Sequence, residues 1–257
     1  MSLVYVRGLR KSYHHSIMER MAGEREYSVL KGIDLQIEKE DFIGIMGRSG
    51  CGKTTLLKII GTIDQPTKGK IYYGDTDVRR LQADNLSELR RNKIGFVFQD
   101  FKLMDNLSVE ENIMLPMVLN QVKYRDMKVV VDRNAHLLEL SNLLKKYPYE
   151  LSGGEKMRVA IARSMSNNPD IILADEPTGN LDISSALNIM DCFTRINQDD
   201  HKAVVMVTHD PLVASYCHKI FFLADGVIRD ICERSDDQSQ NAFYEQIVKL
   251  AAGTACG

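Results

Sequence analysis

The amino-acid sequence predicts an α/β fold, with a mixed sheet core, a separate antiparallel β piece and an inserted helical subdomain. Three observations support this fold class. Short β-rich runs at residues 93–98, 170–174, 203–208 and 219–223 alternate with helical stretches, which is typical of a parallel sheet covered by helices. Residues 3–7, 33–37 and 71–73 resemble strands of an antiparallel piece. From residue 107 to 166 strands disappear, and helices are predicted at 110–121, 124–139 and 155–166.

The composition indicates a soluble globular protein. The chain has 257 residues, 44% hydrophobic and 26% charged, which suffices for a full core. Its formal net charge of −2 argues against a surface that coats nucleic acid, so we expect no nucleic-acid partner. No apolar run approaches the ~20 residues of a membrane span, and the N-terminus lacks a secretion-signal pattern. The five scattered cysteines indicate reduced thiols in a cytosolic protein.

The first element that carries chemistry is a strand–loop–helix unit. Residues 41–46 are predicted as a buried strand, and residues 55–60 as the start of a helix. The loop between them matches the pattern G-x-x-x-x-G-K-[ST] and consists of Gly47, Arg48, Ser49, Gly50, Cys51, Gly52, Lys53 and Thr54, followed by Thr55. The glycines let backbone N–H groups surround a phosphate, and the helix dipole points at the same place. Lys53 can bind the β- and γ-phosphate oxygens and Thr54 can bind Mg²⁺, so we expect nucleotide binding here.

The second element is an apolar strand at residues 170–174 that ends in two carboxylates. We expect Asp175 to hold Mg²⁺ directly or through water. Glu176 points differently because it is one residue further on, and it can polarise an attacking water. A solvated acidic turn is the alternative when the segment is considered alone, but the phosphate-binding loop elsewhere in the chain favours the catalytic interpretation.

The third element is the run Ser152, Gly153, Gly154 and Glu155 at a predicted helix start. Ser152 and Glu155 have the spacing of a capping box, which is a purely structural explanation. That explanation does not cover two glycines in the first turn, where they destabilise a helix relative to alanine. Exposed backbone there would form an anion site, and we expect both roles to hold.

These motifs, together with Gln99, residues 180–182 and His209, occur in the order and spacing of an ABC-type ATPase. The resemblance covers nearly the whole chain, and it implies the P-loop ABC ATPase fold with ATP and Mg²⁺ as cofactors. It also implies that two copies pair head to tail, so that residues 152–154 of one copy close on the nucleotide of the other. On this basis the whole chain is one domain, with a sheet core at about 1–106 and 167–235. The helical subdomain is expected at about 107–166, and a C-terminal helix and tail at 236–257.

The same resemblance implies roles for single residues. Lys53, Glu176 and His209 form the catalytic set, with His209 on the γ-phosphate, while Gln99 joins Thr54 and Asp175 around the metal. Asp182 communicates across the dimer, and it also has the position of an N-cap for a helix at 183–196. Tyr13 is expected to stack on adenine, and Tyr27, across the insertion at 14–26, is the competing aromatic residue. Since Cys51 lies at a helix N-terminus, its thiol pKa is expected to be lowered.

Four further sequence segments indicate which subgroup of this family the chain resembles. Residues 61–69 and 94–103 look like those of ATPases that serve one long permease, including macrolide-exporter and lipoprotein-release systems. Residues 107–116 and 209–217 look closest to bacitracin-type peptide-antibiotic resistance transporters. This implies a membrane permease as partner and a peripheral position on the cytoplasmic face of the membrane, with residues 100–107 passing motion to the permease. Lipoprotein release, macrolide export and a sensor role through a histidine kinase remain alternatives. A chromosome-organising ATPase would need a long coiled coil before Ser152, and the sequence contains none.

Overall fold

The protein is described by a computed structural model over residues 2–13 and 27–254. The described residues form two compact units. The first consists of the described residues within 1–39, 43–86 and 209–257, and the second of Glu40–Phe42 and Ser87–Thr208. The expected insertion at 14–26 lies outside the described residues, as does Cys256.

Strands and helices are numbered along the described chain. The strands are β1 (Val4–Tyr13), β2 (Tyr27–Ile37), β3 (Phe42–Met46), β4 (Lys68–Tyr73), β5 (Thr76–Asp77), β6 (Ile94–Val97), β7 (Ile171–Asp175), β8 (Ala203–Val207), β9 (Lys219–Ala224) and β10 (Val227–Glu233). The helices are α1 (Lys53–Ile60), α2 (Ala83–Lys93), α3 (Val109–Leu119), α4 (Tyr124–Leu137), α5 (Gly153–Met165), α6 (Ile183–Gln198), α7 (Pro211–Ala214) and α8 (Gln240–Thr254). Short 3₁₀ turns lie at Val78–Arg80, Ser141–Leu143 and Pro148–Glu150.

The first unit contains an antiparallel sheet and a mixed group of strands. The antiparallel sheet has the strand order β2-β1-β4-β5. Val4 and Val6 of β1 are fully buried, because every second side chain of a strand points to the same face. Leu9 is buried as well, and a register shift of the strand pair lies between Val6 and Leu9. In the mixed group, β3 pairs in parallel with β9, and β9 forms an antiparallel hairpin with β10. The mixed sheet and the antiparallel piece that the sequence predicts are therefore both present.

The second unit contains the parallel strands β6, β7 and β8, paired in that order. Residues 171–174 of β7 are buried, which agrees with the continuous apolar run that a central parallel strand requires. Helices α3, α4 and α5 pack together in this unit. The nearly buried carboxylate of Glu110 on α3 accepts hydrogen bonds from Lys128 of α4 and from Lys145, at 2.6 Å from the latter. Two lysines thus neutralise a carboxylate that could not stay buried alone.

Between residues 107 and 166 the structure contains only helical segments and loops. Most predicted elements are present with ends shifted by a few residues, but β1 and β2 are longer than predicted because their polar ends continue the cross-strand ladder. Helix α2 was not predicted. It has no buried residue, so the apolar periodicity that reveals a helix in sequence is missing. In the described part of the chain, no helix combines the length and hydropathy needed to span a bilayer.

Candidate nucleotide-binding and hydrolysis site

The loop between β3 and α1 has the conformation that its glycines were expected to permit. Gly52 has φ +105°, and a Cβ there would lie 2.9 Å from Leu30. At Gly47 the constraint is space, since a Cβ would lie 2.1 Å from the carbonyl oxygen of Leu223. Alanine at either position would therefore displace backbone or core side chains. The glycines keep the loop compact against its own unit.

Lys53 is the first residue of α1, and its ammonium group folds back over the loop. Only 6% of Lys53 is exposed. Its Nζ donates hydrogen bonds to the carbonyl oxygens of Gly47, at 2.9 Å, and Arg48, at 3.1 Å. The positive charge is thereby held at the helix N-terminus, where the helix dipole and the backbone N–H groups of the first turn also favour an anion. Thr54 and Thr55 follow in the first turn and are half-buried.

Tyr13 and Tyr27 are direct cross-strand partners, at the last residue of β1 and the first residue of β2. The Tyr13 hydroxyl donates to Asp64 at 2.9 Å, and Lys11 both binds Asp64, at 2.7 Å, and lies 4.7 Å from the Tyr13 ring centroid. Burial, followed by this contact with Asp64, raises the pKa of Tyr13, while a side-chain hydrogen bond with Thr55 opposes the rise. The hydroxyl end of the ring is therefore anchored beside α1, and 44% of the residue is exposed. Lys11 and Asp64 were not singled out in the sequence, where nothing connects them.

Tyr27 is also exposed, and it lines a cavity of about 580 Å³ in the first unit. The cavity is bounded by residues 46–51 of the loop, the β9–β10 turn, His209 and Ala251. Tyr13 does not line this cavity, although its partner does. The structure thus places both tyrosines at the same hairpin end, and Tyr13 as the adenine contact stays a prediction.

The expectation of a reactive Cys51 is wrong with respect to its pKa. Burial raises the pKa of the Cys51 thiol, and the nearby Lys53 charge and backbone N–H groups only partly offset this rise. The helix N-terminus is the right place for an activated thiol, but desolvation outweighs it. The other described cysteines, at positions 192, 217 and 232, are buried free thiols.

In the second unit, Asp175 is the last residue of β7, and Glu176 begins the turn after it. Glu176 has φ +46°, an uncommon conformation for a residue with a side chain, and its N–H donates to the carbonyl oxygen of Val207 at 3.0 Å. Such a conformation persists only where the surrounding structure maintains it. That Glu176 orients the attacking water while Asp175 holds the metal stays a prediction.

Gln99 and Glu176 come together around Gly179. A Cβ on Gly179 would lie 3.2 Å from Nε2 of Gln99 and 3.5 Å from Oε2 of Glu176. Asn180 adds a hydrogen bond from its Nδ2 to the carbonyl oxygen of Gln99 at 3.3 Å. The two side chains that the sequence proposed for water and metal are therefore neighbours, although they are 77 positions apart in the printed sequence.

The start of α5 has the predicted capping box. The backbone N–H of Ser152 donates to the Glu155 carboxylate at 2.7 Å, and the N–H of Glu155 donates to Oγ of Ser152 at 3.3 Å. The hydrogen bond from the Ser152 backbone lowers the pKa of Glu155. Ser152 itself is exposed, which leaves the beginning of this helix accessible.

Close packing is a second reason for glycine at positions 153 and 154, and the sequence alone did not indicate it. A Cβ on Gly153 would lie 3.1 Å from Leu181, and one on Gly154 would lie 3.3 Å from the side chain of Ser185. The helix start thus packs closely on the segment that begins α6. There Asp182 is the N-cap, as predicted, and accepts hydrogen bonds from Oγ and N of Ser185 at 2.6 and 3.0 Å. These bonds lower the pKa of Asp182.

A glycine-rich loop between a strand and a helix, with a lysine over its backbone and a strand ending in Asp-Glu, defines a P-loop nucleoside triphosphatase. The comparison with known families is more specific. Residues 30–179 match the family described as ABC transporter, so the chain belongs to this family. It is an ATP-hydrolysing, ATP-binding subunit of that family, with the ABC ATPase fold that the sequence predicted.

Two curated relatives and one solved structure show the range of similar proteins. The bacitracin export ATP-binding protein BceA of Halalkalibacterium halodurans is 37% identical over 97% of this chain and 95% of its own length. The macrolide export ATP-binding/permease protein MacB of Syntrophobacter fumaroxidans is 40% identical over 89% of this chain but only 31% of its own. A dimeric, post-hydrolysis structure of the ATP-binding cassette MJ0796 bound to ADP and Pi has a TM-score of 0.81 and 37% identity. It covers 90% of this chain and 99% of the MJ0796 chain, which comes from Methanocaldococcus jannaschii.

Proposed function

We propose that two copies of this chain pair head to tail around two ATP molecules and drive a separate membrane permease. In each pair, residues 152–154 of one copy close on the nucleotide held by the loop of the other. The neighbouring positions of Gln99 and Glu176 at Gly179 carry this proposal. Hydrolysis requires a carboxylate that activates water, here Glu176, next to a polar side chain that can contact the metal or the water, here Gln99. The dimeric form of MJ0796 with ADP and Pi supports the pairing.

Each residue then has a defined task. The loop backbone and Lys53 bind the phosphates, Glu176 orients the attacking water, and His209 contacts the γ-phosphate. Thr54, Asp175 and Gln99 supply oxygen ligands for Mg²⁺, a metal that binds to few protein groups and completes its shell with phosphates and water. The donor set fits, because hydroxyl, carboxylate and amide oxygens are hard ligands of the kind that Mg²⁺ prefers. When bound, Mg²⁺ would neutralise charge on the β- and γ-phosphates.

The substitution Glu176→Gln tests this assignment. The amide cannot accept a proton from water, so hydrolysis should fall by at least about a hundredfold, while ATP binding is retained. Light scattering after size-exclusion chromatography should then show an ATP-dependent dimer of Glu176→Gln. Glu245→Gln is the matched control, because Glu245 is an exposed glutamate on α8, and it should behave as wild type. Near-normal hydrolysis by Glu176→Gln would disprove the role of Glu176, and a monomer under all nucleotide conditions would disprove the pairing.

We further propose that the permease contacts the segment 100–107 and the groove beside it. Met104 is 47% exposed, and Phe101 and Leu103 are half-exposed. The groove, of about 350 Å³, has Phe96, Phe98, Leu115, Pro116 and Leu119 among its apolar lining residues. Exposed apolar surface of this kind is typical of a protein contact. Co-purification of the native complex in detergent, with and without Met104→Glu, tests this contact.

The transported substrate that we propose is a peptide antibiotic of the bacitracin type, as in BceA. Macrolide export is the second candidate, because MacB is similarly identical over the ATPase region. A strain that lacks this gene should become more sensitive to bacitracin and regain resistance with the wild-type gene but not with Glu176→Gln. Increased sensitivity to macrolides alone would favour the second candidate. Loss of antibiotic-induced gene expression without loss of transport would instead indicate signalling through a histidine kinase.

A further inference from the structure

The segment that follows Gln99 has an uncommon backbone. Phe101 and Lys102 have φ values of +59° and +51°, so two successive residues with side chains adopt the left-handed conformation. For a bulky residue such as Phe101 this conformation is unfavourable and needs support from its surroundings. The segment 100–107 is therefore held in its shape by contacts from elsewhere.

Arg163 on α5 supplies two of these contacts. Its Nη2 donates to the carbonyl oxygen of Phe101 at 2.8 Å, and its Nη1 donates to the carbonyl oxygen of Lys102 at 2.5 Å. The two acceptors belong to the two left-handed residues. A planar guanidinium presents parallel donors in a fixed fork and matches this pair of carbonyls, whereas a lysine ammonium cannot reproduce the same geometry. Burial lowers the pKa of Arg163, but a guanidinium remains charged at neutral pH.

Two asparagines hold the same segment on either side of Arg163. Asn180, in the turn after Glu176, binds the carbonyl oxygen of Gln99. Asn112 of α3 donates to the carbonyl oxygen of Met104 at 3.1 Å and accepts from the Met104 N–H at 2.8 Å. Each of these contacts is made to the backbone, so the three side chains hold the path of the chain directly.

We infer that Arg163 is a positioning residue that makes the Gln99 segment and helix α5 move as one body. The helix begins at Gly153, directly after the N-cap Ser152. At a rise of 1.5 Å per residue, Gly153 lies about 15 Å from Arg163 along the helix axis. A shift of the Gln99 backbone is thus transmitted along a rigid helix to residues 152–154. Arg163 acts through Gln99 and through the helix, and it touches no reacting group. This inference rests on the proposed function, in which both Gln99 and residues 152–154 act on bound nucleotide.

The test compares Arg163→Lys and Arg163→Met with the control Arg195→Lys. Arg195 is on α6 in the same unit, half-exposed, with a long ion pair of 3.9 Å to Glu139. Both Arg163 variants should lose on the order of ten- to a hundredfold in kcat for ATP hydrolysis, because small misplacements of positioning groups have effects of this size. Their KM and their Kd for a fluorescent ATP analogue should stay within about twofold of wild type, because the phosphate-binding loop is intact. Hydrogen exchange at residues 101–104 should accelerate only in the Arg163 variants.

A second comparison separates a positioning role from a purely structural one. If Arg163 acts through the Gln99 segment, Asn180→Ala combined with Arg163→Lys should reduce kcat by less than the product of the single effects. The inference would be overturned if the Arg163 variants showed faster hydrogen exchange but an unchanged kcat, or if their hydrogen exchange did not change. It would also be overturned if the double variant lost kcat by the full product of the two single effects. If Arg163→Met does not fold, Arg163→Lys with the same measurements decides the question. Failure of the proposed function would appear separately, as hydrolysis by Glu176→Gln.

Discussion

The buried amide of Asn112 allows the support of the loop after Gln99 to be measured as stability. Asn112 is fully buried on α3. Its Nδ2 donates to the carbonyl oxygens of Met104, Leu107 and Ser108 at 3.0–3.1 Å, and its Oδ1 accepts from the Met104 N–H at 2.8 Å. The amide nitrogen has two hydrogens shared among its three acceptors, so Asn112→Ala removes the equivalent of three hydrogen bonds. At about 1 kcal/mol net for each bond, the free energy of unfolding should fall by about 3 kcal/mol.

Asn134→Ala is the matched control. Asn134 lies on α4 in the same unit, is 2% exposed, and its amide donates to the carbonyl oxygen of Ala162 at 3.2 Å. Both substitutions remove the same volume from a helix, so the predicted difference of about 2 kcal/mol reflects the additional hydrogen bonds of Asn112. For a protein of this size the difference corresponds to roughly 4–8 °C in Tm.

Thermal unfolding followed by far-UV circular dichroism is the appropriate assay, since the chain has no tryptophan. Asn112→Ala should melt clearly below Asn134→Ala, which in turn should melt slightly below wild type. If the two variants melt within about 2 °C of each other, the loss of stability is determined by the lost side-chain volume and not by the lost hydrogen bonds. The reasoning about the loop would then be refuted.

Three further outcomes are expected. Hydrogen bonds from two lysines lower the pKa of Glu110, so its contribution is present above the unfolded-state pKa and is lost as the pH falls through the folded-state pKa. Glu110→Gln should therefore lower Tm at pH 7 but not at strongly acidic pH; an equal loss at both would contradict this. Cys51 should react with N-ethylmaleimide more slowly than free cysteine at pH 7.5, and Mg-ATP should slow it further, which mass spectrometry can follow. Gly47→Ala should abolish ATP binding in a titration. Gly50→Ala has open space around its Cβ but a left-handed φ of +81°, so it should weaken binding and still leave it measurable.

Local patterns in the sequence predicted the parts of the site that depend on neighbours in the chain. The capping box of Ser152 and Glu155 and the N-cap at Asp182 form as predicted, because each involves residues three positions apart. The loop from Gly47 to Thr54 has its expected strand and helix on either side. These features need only backbone geometry and the right residue types within one turn.

Features that depend on distant residues were not accessible in this way. Nothing in the sequence connects Arg163 with the carbonyl groups of Phe101 and Lys102, or Tyr13 with Asp64. The pKa of Cys51 was predicted in the wrong direction, since burial depends on the packing around the loop. Desolvation is a property of the folded unit, and a helix N-terminus read from sequence supplies only one of the competing effects.

The sequence by itself determined the chemistry of this protein: a loop that binds phosphates, a strand end with two carboxylates, a capped helix with two glycines, and membership of a family of ATPases. Short-range geometry suffices for these, because hydrogen bonds and dipoles within a few residues create each motif. The tertiary structure decided which distant groups meet, namely Gln99 with Glu176 at Gly179 and Arg163 with the segment after Gln99. The reason is that such contacts depend on the packing of whole strands and helices, and residues far apart in sequence become neighbours only through that packing.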